Sequence, residues 1–137
     1  MRLRWLRRGS VLAAVVAVVV FGAGTRAHAA PPRNVGWLYT LSRSGAVFFD
    51  ADLAGYPSFE KITVCDNKTD GRGIESKIVQ WVGDERYIEV ISQDPSNNGD
   101  CEAFQHNYFV DGYDVYVEVC EYWGSRRENC ASAFGTA

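Results

Sequence analysis

Close cysteine pairs, long apolar runs and a helical hydrophobic period are all missing from this 137-residue sequence. Its four cysteines, Cys65, Cys101, Cys120 and Cys130, stand 36, 19 and 10 residues apart, so the Cys-x-x-Cys pairs typical of a zinc site do not occur. The longest apolar run, Val11 to Phe21, falls well short of the ~20 residues that a bilayer-spanning helix needs. No segment repeats apolar residues every 3.6 positions, which argues against amphipathic helices. Histidine is scarce, with only His28 and His106, and no Gly-x-Ser-x-Gly elbow accompanies either. Cations are few beyond residue 29: nine Lys and Arg face 17 Asp and Glu, a net charge of −8 over residues 30–137. That surplus is repelled by phosphate backbones and anionic lipid, which excludes nucleic acid and electrostatic membrane attachment.

The first 29 residues concentrate what the rest lacks. Arg2, Arg4, Arg7 and Arg8 form a basic start, the apolar run follows, and Ala27-His28-Ala29 supplies the small-x-small site of a signal peptidase. The expectation is a secretory signal peptide over residues 1–29 and a single mature domain over 30–137, extracellular and unattached to membrane. Ser10 and Val11 lack the bulky apolar pair expected after a twin arginine, so general secretion is favoured. No cysteine lies near the cleavage site, which excludes lipoprotein processing.

An even number of cysteines in an exported chain reads as two disulfides. The favoured pairing among three is Cys65 with Cys101 and Cys120 with Cys130. Short β-branched and aromatic runs recur between Gly, Asn and Asp clusters, which predicts an all-β antiparallel sandwich of seven to eight short strands, with a small barrel as the alternative. Val47, Phe49, Ile62, Val64, Val115, Val117 and Val119 are the expected core by alternation. The same phase turns both staples to an outer face or edge. Asp111-Gly112 is the strongest hairpin signal and is expected to join strands Ala103–Val110 and Tyr113–Tyr122.

Sixteen aromatics fall within residues 30–137. Tyr116, Tyr122, Trp123 and Trp81, with Asp114 and Glu118, are the candidate binding residues, because they fall on outward phases or near turns. Aromatic contact area rimmed by acids, Glu121 included, suits a basic extracellular protein partner, and a glycan on a Trp or Tyr platform is the alternative. A small hydrolase using His106 is a third reading, although His106 shares the phase of Phe104 and Tyr108 and reads more simply as a packed edge residue. No catalytic set, cofactor motif or metal-ligand set stands out. The loop Asp66 to Gly73 fails as an EF-hand, since Lys68 and Lys77 occupy ligand positions. A looser calcium site shared with Asp94, Asn97, Asn98 and Asp100 competes there with simple turn capping.

The segments Val64-Cys65-Asp66-Asn67-Lys68-Thr69-Asp70-Gly71 and Val117-Glu118-Val119-Cys120, with Cys130 following, resemble those of small secreted proteins of high-GC Gram-positive bacteria. The resemblance covers about half of the mature domain. It implies secretion, β structure and two disulfides, and implies no activity. The chain looks unlike the enediyne apoproteins and small amylase inhibitors of the same bacteria, whose cysteine spacings differ. The Trp-Arg-Tyr inhibitory turn is absent here.

Overall fold

Eight antiparallel strands arise where apolar and polar side chains alternate, and each ends at the polar punctuation seen in the sequence. They are β1 (Val35–Tyr39), β2 (Gly45–Asp50), β3 (Glu60–Asp66), β4 (Gly73–Val82), β5 (Arg86–Asp94), β6 (Cys101–His106), β7 (Asp114–Trp123) and β8 (Arg126–Thr136). The computed structural model describes residues 29–84, 86–95 and 98–137. Apart from Ala29, the expected leader lies outside them. Two four-stranded sheets, ordered β1-β2-β3-β6 and β5-β4-β7-β8, face each other as a sandwich.

Between the sheets sit Val47, Phe49, Ile62 and Val64 of the first and Ile74, Ile78, Val115, Val117 and Val119 of the second, all essentially inaccessible. Phe49 meets Phe109 edge to face, ring centroids 6.0 Å apart. Burying each such side chain contributes about 1.5–3 kcal/mol, the main term holding the sheets together. The close approach of the sheets also dictates Gly45, because a Cβ there would collide with the Ile74 side chain and the Cys65 carbonyl.

Both disulfides have the favoured pairing, Cys65–Cys101 and Cys120–Cys130, and no cysteine is free. Each lies within one sheet and ties an edge strand to its neighbour. Cys65 and Cys101 are register partners across β3 and β6. Cys120 and Cys130 flank the point where the β7–β8 register slips, at Asn129, whose φ is 53°. That slip is a β-bulge with one residue in the left-handed region. Such staples belong with an oxidising environment.

Asp111-Gly112 does form a turn, with Gly112 at φ 81°, but it does not join paired strands. β6 ends at His106 and pairs with β3, while β7 pairs with β4 and β8 in the other sheet. Residues 107–113 therefore cross between sheets. The crossing is stabilised by Gln80, a buried inward residue of β4: its Oε1 accepts from Val110 N at 2.8 Å and its Nε2 donates to Val110 O at 3.0 Å. The amide thus replaces the ladder that a strand through Val110 would have needed.

Candidate functional site

Alternation along β4 and β7 sends Trp81 and Tyr116 to the outer face of the second sheet. There Trp81 stands beside Tyr87 of β5, centroids 5.9 Å apart, and Tyr116 beside Phe134 of β8, 5.4 Å apart. Val79 and Tyr116 are register partners, so the two ring pairs adjoin across β4 and β7. Trp81 is 56% exposed and Phe134 63%. Both pairs meet edge to face, an arrangement worth about 0.5–1.5 kcal/mol that holds the rings in place. Phe134 was not among the candidates. Its signal lies in the alternation of β8, where Ala131 and Ala133 pack on the core and leave Ser132 and Phe134 outward.

Acids and two cations surround the rings. Asp114 is exposed and accepts from Thr136 Oγ1 at 3.1 Å. Glu118 is held by Arg127 at 2.7 Å, and the same guanidinium holds Glu75 at 2.7 Å. Lys77 binds Glu89 at 2.8 Å, and the Tyr87 hydroxyl donates to Glu89 at 2.5 Å. The Lys77 ammonium, aided by that phenol, holds the Glu89 carboxyl below its ordinary range, and the bond to Glu89 pushes the Tyr87 phenol up. Glu75, Glu89, Asp114 and Glu118 against Lys77 and Arg127 leave the face negative.

Tyr122 and Trp123 lie elsewhere. Six residues of strand separate Tyr116 from Tyr122, about 20 Å. The Tyr122 ring covers Gly73, 2.5 Å from where a Cβ would stand. Trp123 stacks under the Arg72 guanidinium, 4.3 Å from its ring centroid. The structure thus brings Trp81, Tyr116 and Asp114 together, adds Tyr87 and Phe134, places Glu118 beside them in an ion pair, and sets Tyr122 and Trp123 apart.

Glu121 does not add to the surface charge, contrary to expectation. It follows Val119 on the inward phase and is 1% exposed. Its carboxylate accepts from the Ser42 and Ser44 hydroxyls, from Asn129 Nδ2 at 3.0 Å and from Arg72 Nη1 at 2.5 Å. Burial pushes its pKa up, but the four donors outweigh that and bring it down to about 2. This carboxylate joins the β1–β2 turn, the loop before β4 and the β8 bulge.

At the same end of the sandwich the two acidic loops touch. Asp66 N donates to Asp94 Oδ2 at 2.9 Å, and Lys68 N donates to Asp66 Oδ1 at 3.1 Å. Among the described residues buried Asp66 Oδ2 has no hydrogen-bond partner, and burial pushes this carboxyl up. Asn97 lies outside the described residues, and Asn98 caps its own turn by accepting from Asp100 N at 2.9 Å. Among the described residues, the one trio of ligand-type side chains close enough to share an ion is Glu118, Cys120 and Cys130. Both of its sulfurs are spent in a disulfide.

His106 sits on the free edge of β6, stacked on Phe59 at 6.1 Å and tilted against Tyr108 at 5.4 Å. Its Nδ1 lies 3.0 Å from Asn107 O. Among the described residues no hydroxyl or carboxylate is hydrogen-bonded to this exposed ring. No helix among those residues is long and apolar enough to cross a membrane. Comparison of the chain with protein-family models, with curated proteins and with solved structures gives no match.

Proposed function

We propose that this is a secreted, non-catalytic binding module that captures a basic extracellular protein on the outer face of β5-β4-β7-β8. The observation that carries the reading is the pair of adjoining edge-to-face ring pairs, Trp81 with Tyr87 and Tyr116 with Phe134, on a face whose charge is negative. Rigid aromatic anchors supply contact energy, and the surrounding acids steer a cationic partner and make capture salt-sensitive. Secretion rests on the leader-like residues 1–29, on the two disulfides and on the likeness to small secreted proteins of high-GC Gram-positive bacteria.

The test is capture of purified basic and acidic extracellular proteins at low and high salt. The expected result is retention of basic proteins alone, weakened by salt and lost in the Trp81→Ala, Phe134→Ala double variant. Tyr122→Ala, far from the rings, should leave retention unchanged. Retention that ignores the double variant would refute the assignment of this face.

A further inference from the structure

The opposite outer surface differs in chemistry. On the sheet β1-β2-β3-β6, a groove of about 360 Å³ is lined by Trp37, Phe48, Asp50, Lys61 and Thr63. A smaller hollow of about 190 Å³ continues it past Trp37 to Tyr39, Ala46, Asn67 and the Cys65–Cys101 disulfide. Ala46 and Asp50 mark its two ends along β2, four residues or about 13 Å apart. The groove exists because β1 is bulged. Val35 pairs with Phe49 and Leu38 with Val47, so Gly36 and Trp37 together oppose Phe48. The extra residue lets both Val35 and Leu38 pack on the core and turns Trp37 and Tyr39 outward. Trp37 is 50% exposed and rests on Phe48, centroids 5.4 Å apart.

The polar lining is uncommitted. Asp50 and Lys61 are register partners across β2 and β3, yet they form no ion pair, and no side-chain hydrogen bond engages Asp50, Lys61 or Thr63 among the described residues. One group only accepts, one only donates and one does both. Their charges cancel, which selects neither an anion nor a cation, and an apolar ligand would leave all three unsatisfied.

We infer that this groove binds a neutral saccharide of more than one ring. The C–H face of a pyranose lies on Trp37, where the negative ring face meets weakly positive hydrogens. Its edge hydroxyls donate to Asp50 and accept from Lys61, with Thr63 two residues further along β3, opposite Phe48. Tyr39 and Asn67 offer the next ring a second platform and an amide. This site shares no residue with the protein-binding face, so either can fail without the other.

Retention of the full mature chain on insoluble chitin, cellulose and xylan, together with titration of the matching soluble oligosaccharides, tests the assignment. Binding to at least one of them is expected, insensitive to salt. Trp37→Ala should weaken it about tenfold or more, as removal of a central aromatic contact does. The Asp50→Asn, Lys61→Met double variant should weaken it comparably, and Trp81→Ala on the other face should not change it. Thermal unfolding of each variant, measured alongside, separates lost binding from lost folding. No binding across the panel, binding untouched by both groove variants, binding abolished by Trp81→Ala or by salt, or binding of peptides alone would each overturn the inference.

Discussion

The Gln80 side chain is hydrogen-bonded to both backbone groups of Val110, standing in for a neighbouring strand. Gln80→Leu keeps most of the volume but strands the N–H and C=O of half-buried Val110 in the crossover. The expected cost is about 2–3 kcal/mol, read from urea unfolding. An unchanged midpoint would show that the crossover finds other partners.

Glu121 gives stability an acid limit. Its folded pKa of about 2 lies below the ordinary 4.5, so its contribution is complete above 4.5 and is lost as pH falls toward 2. By linkage the contribution is about 3 kcal/mol. Arg72→Ala removes the charged donor and lets the carboxyl move back up, so acid unfolding should begin at higher pH than in the wild type. Urea unfolding across that window checks it, and identical profiles would contradict the role given to Arg72.

Glu60 works in the opposite sense. It is fully buried, Tyr108 N donates to its Oε2 at 2.8 Å, and its Oε1 has no hydrogen-bond partner among the described residues. Burial pushes its pKa above the ordinary value, against the hydrogen bonds from Tyr108 and its neighbours. The charged form is therefore a cost at neutral pH, relieved as pH falls through the raised value. Glu60→Gln should gain on the order of 1 kcal/mol at neutral pH and nothing at acid pH, where both side chains are uncharged.

The two disulfides should differ in worth. Cys65–Cys101 spans 36 residues and Cys120–Cys130 spans 10. The chain-entropy relation gives about 4 kcal/mol for the first and about 3 for the second. Paired Cys→Ala variants measured by denaturant unfolding should follow that order.

Much of this was legible in the residues. Val47, Phe49, Ile62, Val64, Val115, Val117 and Val119 alternate so regularly that their inward placement, the all-β class and the outward turn of Tyr116 followed from strand period alone, whereas the exposure of Trp81 did not. Trp37 and Phe134 were less visible. A single bulge reverses the phase after Val35, and Phe134 sits in a run of small residues with weak hydrophobic contrast.

Glu121 was misread for a different reason. Charge argues for the surface, whereas phase argues for the interior, and only neighbours distant in sequence decide between them. Ser42, Ser44, Arg72 and Asn129 supply the donors that make burial of that carboxylate affordable.

Local chemistry set the strands, their inward faces and the turn at Gly112, because steric preference and side-chain period act over a few residues. Tertiary structure alone decided that this turn crosses between sheets, and which aromatics became neighbours. Both outcomes depend on long-range pairing: β6 aligned with β3 through Cys65 and Cys101, and Gln80 satisfied Val110 thirty residues away. Sequence period carries no record of such pairings.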